Sequence, residues 1–99
     1  GIDAAVLDLR TLSPLDRASL LAVARHCGRV LIVHEDTRTG GIAGEITARI
    51  NESCFAHLDA PVLRVTAHDI PLPYAPALED FVLPQTDDII LAARRLAAW

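Results

Sequence analysis

The sequence lacks several features that define large classes of protein. Its apolar runs all fall short of the roughly 18 residues that a membrane-spanning helix needs. No charged segment followed by an apolar one opens the chain, so no secretory signal is expected. Nucleic-acid-binding domains select for basic surfaces, whereas this chain has 9 basic and 13 acidic residues and a net charge of -4. The sequence therefore predicts neither a membrane protein nor a nucleic-acid-binding one.

The short motifs of common catalytic and metal sites are also missing. The 2 cysteines, Cys27 and Cys54, form no CxxC pair and lack metal-ligand spacing. This pattern predicts two small buried side chains in a reducing compartment. There is no GxSxG motif for a nucleophile, and Gly40 and Gly41 match neither the GxGxxG nor the Walker pattern. No residue is predicted to be catalytic, to bind a cofactor or to ligate a metal.

The sequence does contain an excess of apolar residues for its size. Its 99 residues make one small domain, 1–99, with room for one core. Hydrophobic residues form 52% of the chain and mean hydropathy is +0.32, values too apolar for a disordered segment. They are also high for a free-standing monomer of this length. The composition therefore predicts that part of the surface is buried against another molecule.

Apolar runs predict three buried strands, at residues 4–9, 29–34 and 62–66. Helical spacing predicts one helix that begins at Ser13, as its capping residue, and ends at Gly28, as its left-handed cap. Strands that alternate with helices imply a parallel sheet with right-handed crossovers and helices on both faces. The expected fold class is therefore α/β, a three-layer α/β/α arrangement with an open, mainly parallel sheet.

The second half of the chain is expected to hold two more helices and a connector. A helix over residues 42–58 carries an apolar stripe at every fourth residue, widened by Phe55. Residues 68–84 include four prolines, which predicts an extended connector with one helical turn near residues 77–80. The connector is also apolar, so it either folds over its own core or presses on a partner. A last helix is expected to begin with Thr86 as its cap.

Polar residues follow the carboxyl ends of the predicted strands, where open α/β sheets bind ligands. They are Arg10, His34, Glu35, Asp36, His68 and Asp69. Such a set could form a metal or acid–base site, but its members have no diagnostic spacing and polar residues are common in loops. Gly40 and Gly41 could cradle an anion before a helix, although a tight strand-to-helix turn explains them more simply. The residue pattern favours the structural explanations and leaves the ligand-binding ones open.

Several collinear segments together resemble one known family. The segment HEDTRTGG at residues 34–41 is followed by IAGEI, and DLRTLSPLD lies upstream at residues 8–16. NESCF, LDAPV, DIPLPY and Leu78-Glu79 follow downstream. This combination resembles the carboxy-terminal domain of the beta subunit of thiamine-diphosphate-dependent 2-oxo acid dehydrogenases, of the pyruvate and branched-chain type. Transketolase and deoxyxylulose-phosphate synthase carry a related domain and are the nearest alternative, and a self-contained small anion-binding α/β module is another.

The resemblance implies a parent enzyme that decarboxylates a 2-oxo acid and passes the acyl group to a lipoyl arm. It implies thiamine diphosphate and Mg²⁺ in the parent and no cofactor in this domain. The implied partners are its own copy in a beta–beta dimer, an alpha subunit and the acyltransferase core, in the bacterial cytoplasm or the mitochondrial matrix. In the family a further strand and helix precede the strand at residues 4–9, so the chain is expected to be an amino-terminally truncated fragment of the transketolase C-terminal-like domain.

Three segments are expected to make the subunit contacts that the resemblance implies. They are the strand-to-helix turn, the first part of the connector and the end of the last helix. The expected contact residues are His34, Glu35, Asp36, Thr39, Gly40, Gly41, Ile70, Pro71, Leu72, Pro73, Tyr74 and Trp99.

Overall fold

Helices and strands alternate along the computed structural model, which describes residues 1–99. In chain order the elements are α1 (Arg17–Cys27), β1 (Leu31–Thr37), α2 (Ile42–Cys54), a 3₁₀ helix (Phe55–His57), β2 (Leu63–Ala67), α3 (Pro76–Val82) and α4 (Thr86–Ala97). This order confirms the predicted α/β class.

The two strands form a parallel sheet in which Leu31 pairs with Leu63 and Val33 with Val65. β1 runs three residues beyond the predicted strand at 29–34, and β2 is displaced by one residue from 62–66. Two parallel strands cannot be joined by a tight turn, so they need a crossover connection. The α2 helix provides that crossover.

The strand predicted at residues 4–9 is absent, so the expected third strand of the sheet was wrong. Residues 1–11 form no regular element, and all of them except Leu9 are exposed. Leu7 of this run and Val33 of β1 both line one open groove, and no strand pairing joins the two segments. A strand forms where its backbone groups bond to a neighbouring strand, and this apolar run has no such neighbour.

The main core lies between α1 and α2. Its buried side chains are Leu20, Leu21, Ala24, Ile46, Ile50 and Cys54, and Val30, Ile32 and Val62 pack against them from beside or within the strands. The apolar stripe predicted for the second helix is therefore confirmed. Phe55 was wrongly included, because the α-helix changes to a 3₁₀ helix there and its side chain is 69% exposed. Cys27 is also exposed, contrary to expectation, whereas Cys54 is buried.

The helix ends depend on side chains that differ from the predicted caps. Asp16 caps α1 by accepting a 3.1 Å hydrogen bond from the Ser19 N–H, and Ser13 lies in the preceding turn. Hydrogen bonds from Ser19 hold the pKa of the Asp16 carboxyl below its ordinary value. Gly28 ends α1 in the left-handed conformation, as predicted. Gln85, rather than Thr86, caps α4.

The sheet lies between two layers of helix. Because side chains alternate across a strand, Val65 and Ala67 point away from the face that Ile32 turns toward α1 and α2. Both are buried, and α4 contacts both strands. The predicted helical turn of the connector is present as the longer α3. The longest helix has 13 residues, and no helix has the length and apolarity needed to cross a bilayer.

Candidate functional site

Two of the three predicted contact segments meet at the carboxyl end of the sheet. The Thr39 N–H donates a 2.8 Å hydrogen bond to Asp69 Oδ1, and the Thr39 hydroxyl donates to Asp69 Oδ2. Thr39 belongs to the turn after β1, and Asp69 lies in the loop after β2. This pair of bonds therefore joins the strand-to-helix turn to the beginning of the connector.

The Asp69 carboxylate is stabilised in its charged form by this contact. The hydroxyl and the N–H of Thr39, helped by the nearby Arg38, hold the pKa of Asp69 below its ordinary value of 3.8. A protonated Asp69 would lose part of these bonds, since the charged form is the better acceptor. The junction between the two loops is thus strongest when Asp69 is ionised.

Gly41 is a packing residue and not an open anion cradle. It is buried directly before α2, with an ordinary φ of -75°. A Cβ atom at this position would overlap the carbonyl oxygen of Thr37 and lie 2.8 Å from Cε1 of His34. Gly40 differs, because its φ of 76° is left-handed and open space surrounds it. The structural explanation of the glycine pair fits this geometry.

His34 has an unusual environment in the same turn. Its ring lies against Gly41, and both of its ring nitrogens are buried without a hydrogen-bond partner. Glu35 and Asp36 follow it in β1 and are exposed. A buried nitrogen without a partner is costly, which makes His34 the least satisfied polar side chain of the sheet.

The connector presents a row of exposed apolar side chains. Tyr74 is fully exposed, and Leu72, Leu78 and Phe81 are each more than half exposed, with Ile70 close to half. We call these five residues the connector patch. Pro71 is also exposed, and Pro73 is partly buried. Apolar side chains concentrated in one exposed segment are typical of a surface that another molecule covers.

Trp99 lies apart from the other predicted contact residues. Its carbonyl oxygen accepts a 2.7 Å hydrogen bond from Nη2 of Arg29, which precedes β1. Thr39 and Asp69 are at the opposite end of that strand, and seven strand residues span roughly 23 Å. The structure therefore brings the turn and the connector together and leaves Trp99 at the other end of the sheet.

A mostly apolar groove of about 430 Å³ lies beside β1. It is lined by the chain before α1, including Leu7 and Leu9, by residues 29–34, and by side chains of α1 and α2. Arg10 and His34 also line this groove, so Arg10 does not join the residues that follow β2. The polar residues after the strands thus divide between two places instead of forming one cluster.

The remaining polar residues form no metal site. His68 stacks on Phe81 with ring centroids 4.9 Å apart, and Asp69 is engaged by Thr39. No group of three or more histidine, cysteine, aspartate or glutamate side chains comes together. The residue pattern had not singled out Arg38, Arg64 and Arg95, which line a second cavity beside α4. They are far apart in the sequence, and no local motif could have marked them.

Comparison with known proteins places the chain among a group of enzyme subunits. Residues 1–89 match the family described as Transketolase, C-terminal domain. The chain is 45% identical over 100 residues to 2-oxoisovalerate dehydrogenase subunit beta of Bacillus subtilis. That match covers 100% of the chain and 31% of the Bacillus protein. It is 44% identical over 95 residues to the mitochondrial pyruvate dehydrogenase E1 component subunit beta-1 of Arabidopsis thaliana. That match covers 96% of the chain and 26% of the Arabidopsis protein. The chain thus spans between a quarter and a third of these relatives.

Proposed function

The chain belongs to the transketolase C-terminal domain family, and from this membership we propose that it is the dimer-interface and assembly domain of a 2-oxo acid dehydrogenase. The parent enzyme decarboxylates a 2-oxo acid oxidatively and transfers the acyl group to a lipoyl arm. The relatives named above are dehydrogenase beta subunits, which supports this assignment over a transketolase or a deoxyxylulose-phosphate synthase. The parent's compartment would be the bacterial cytoplasm or the mitochondrial matrix.

The cofactor of the parent would be thiamine diphosphate with Mg²⁺, which supply the carbanion chemistry of decarboxylation when bound. No group of three or more acidic, histidine or cysteine side chains comes together in this chain. We assign the cofactor and catalysis to other parts of the parent, as the family resemblance implies, and assembly to this domain.

The connector patch is the observation that carries the assembly role. Five large apolar side chains are exposed within 12 residues of chain, and the Thr39–Asp69 hydrogen bonds fix the start of that segment against the sheet. Exposed apolar area on a rigid surface favours association because its burial releases water without a large loss of conformational freedom. The occupant that we assign to the patch is a second copy of the domain, with an alpha subunit and the acyltransferase core as further partners of the assembly.

A charged substitution in the patch tests this role. Tyr74→Asp should shift the full protein toward smaller assemblies, because an aspartate would be buried without a partner at the contact. Phe55→Asp is the matched control, since Phe55 is also exposed but lies outside the connector. Molar mass would be measured by sedimentation across concentration. An unchanged mass in the Tyr74 variant, or equal effects of both variants, would remove the support for this interface.

We also propose that the groove beside β1 receives a further strand of the same protein, so that residues 1–99 form one part of a larger domain. The edge of β1 that does not pair with β2 offers backbone N–H and C=O groups, and the lining of the groove is mostly apolar. An inserted strand would satisfy those groups and bury the apolar walls at once. It would also give residues 4–9 the neighbour that a strand requires.

Cys27 provides a direct test of this arrangement because it is exposed and lines the groove. In the full protein its alkylation by iodoacetamide should be slow, and in residues 1–99 alone it should be fast. The buried Cys54 is an internal control that reports unfolding. Equally fast alkylation of Cys27 in both proteins, with Cys54 protected, would contradict the inserted strand.

A further inference from the structure

A second cavity of about 440 Å³ lies between β2 and α4. Three arginines line it: Arg38 from the turn after β1, Arg64 from β2 and Arg95 from the last turn of α4. Asp69 and Asp88 are the two carboxylates in its wall. The guanidinium groups outnumber the carboxylates there, although the whole chain carries a net charge of -4. The cavity is therefore a local concentration of positive charge on an acidic molecule.

None of these three arginines forms an ion pair, although Arg38 lies near enough to Asp69 to stabilise its charged form. The structure contains two ion pairs, Arg29 with Asp59 and Arg49 with Glu45, and both lie elsewhere. Instead, Nη1 of Arg38 donates to the Arg64 carbonyl oxygen at 3.3 Å, and Nη1 of Arg64 donates to the Arg38 carbonyl oxygen at 3.4 Å. Two like charges are thus held near each other by the backbone, an arrangement that a bound anion would stabilise.

The two carboxylates of the cavity are engaged with other groups. Asp69 accepts both hydrogen bonds of Thr39, and Asp88 Oδ2 accepts a 2.9 Å hydrogen bond from the Gln85 N–H. A guanidinium group has five N–H donors, and Arg38 and Arg64 each commit one side-chain nitrogen to a carbonyl oxygen. Most of their donors therefore remain free for a ligand.

We propose that this cavity, the arginine cavity, binds a small oxyanion, namely the carboxylate or phosphate group of a small molecule. The planar fork of a guanidinium matches two oxygens of either group. Val65, Val82 and Leu91 provide an apolar wall for the carbon part of the ligand. A polyanion is disfavoured because the negative charge of the chain repels it at long range, whereas a small ion experiences mainly the local field.

Titration of the full protein with inorganic phosphate and with malonate tests the proposal. Binding would be followed by calorimetry at constant ionic strength, with chloride as the reference anion. We expect saturable binding of at least one of the two, and the preferred one identifies the headgroup. Arg38→Gln and Arg64→Gln should each weaken it about tenfold or more, since a charge-assisted hydrogen bond is lost. Arg49→Gln, at an ion pair outside the cavity, should leave it unchanged.

Arg95→Gln is a further variant that serves if the other two are unstable. Arg95 lines the cavity and makes no side-chain hydrogen bond in the structure, so its substitution removes only a charge and free N–H donors. It should also weaken binding. A response to phosphate and malonate no greater than that to chloride, or equal binding by wild type and all three cavity variants, would overturn the proposal. Binding of poly-glutamate without binding of either small anion would also overturn it, in favour of an acidic protein partner. Tyr74→Asp should leave anion binding intact, so this site and the interface are tested separately.

Discussion

Gly41 and Gly44 lie three residues apart and should respond oppositely to alanine. At Gly41 an added methyl group overlaps Thr37 and His34, so Gly41→Ala should lower the free energy of unfolding by about 1–3 kcal/mol. At Gly44, inside α2, a Cβ atom meets nothing within 4 Å, so Gly44→Ala should raise it by about 0.5–1 kcal/mol. Urea unfolding of both variants would measure the two changes. A Gly41→Ala variant as stable as wild type would show that the turn can move.

Asp69 should make stability depend on acid pH. Its pKa is lowered in the folded state, so the unfolded chain takes up the proton first as the pH falls. The stabilisation is fully present above about pH 5 and is lost progressively as the pH falls below about 4 toward the folded-state pKa. Asp69→Asn should therefore flatten the dependence of stability on pH in this window. Asp3→Asn is the control, because Asp3 accepts no side-chain hydrogen bond, and an identical profile for wild type and Asp69→Asn would contradict the assignment.

Among single residues, the sequence predicts those whose role depends only on their neighbours along the chain. Gly28 could be assigned as a helix cap because a left-handed residue is needed where a helix ends. The Thr39–Asp69 contact could not be predicted, because its partners are 30 residues apart and meet only after two strands have paired. The arginine cavity could not be predicted for the same reason, because its residues are far apart in the sequence. Which of the predicted contact segments meet could therefore not be read from the sequence, and their role in subunit contacts stays a prediction.

Among the elements, α1 and α2 depend most on packing. Ile50 is fully buried between them, so Ile50→Val should cost about 0.5–1.5 kcal/mol through the cavity that it leaves. Ile90, on α4, is 42% exposed, and Ile90→Val should change stability by less than about 0.5 kcal/mol. Both substitutions change helix propensity by the same amount. The difference between their losses of unfolding free energy, measured by chemical denaturation, therefore reports the contribution of packing alone. Equal losses would mean that α4 is covered by another surface.

The helices were more predictable than the strands for a physical reason. A helix satisfies its backbone within one segment, so apolar spacing and a capping residue locate it to within a few positions. The wrong caps predicted at Ser13 and Thr86 are errors of a few positions, because a nearby side chain provides the cap in each case. A strand depends on a distant partner. Residues 4–9 have the composition of a strand, yet in this chain they have nothing to pair with.

For the molecule as a whole, apolar burial outweighs ion pairing. Its two ion pairs are both exposed, and such pairs contribute about 0–1 kcal/mol each. Raising sodium chloride from about 0.05 to about 0.5 M should therefore change the free energy of unfolding by less than about 1 kcal/mol. Thermal or urea unfolding across that range would measure it. A much larger loss of stability would indicate that charge contacts hold the fold together.

The small core leaves much apolar surface of the molecule uncovered. Only 14 of 99 residues are buried, while the connector patch and the groove leave large apolar side chains open. Sequence composition indicated this excess of apolar surface correctly. The places where it is exposed followed only from the fold, because they depend on which strand edge and which loop remain uncovered.

The parallel pairing of β1 with β2 has a consequence for how the protein folds as it is synthesised. Leu31 cannot meet Leu63 until the 31 residues between them, including α2, have been made. During that interval the edge of β1 that later pairs with β2 is unpaired, and the apolar side chains of β1 are available to neighbouring nascent chains. Rapid formation of α2, which packs on β1 from one side, would shorten the exposure. The speed of helix formation in the crossover would thus govern the yield of soluble protein.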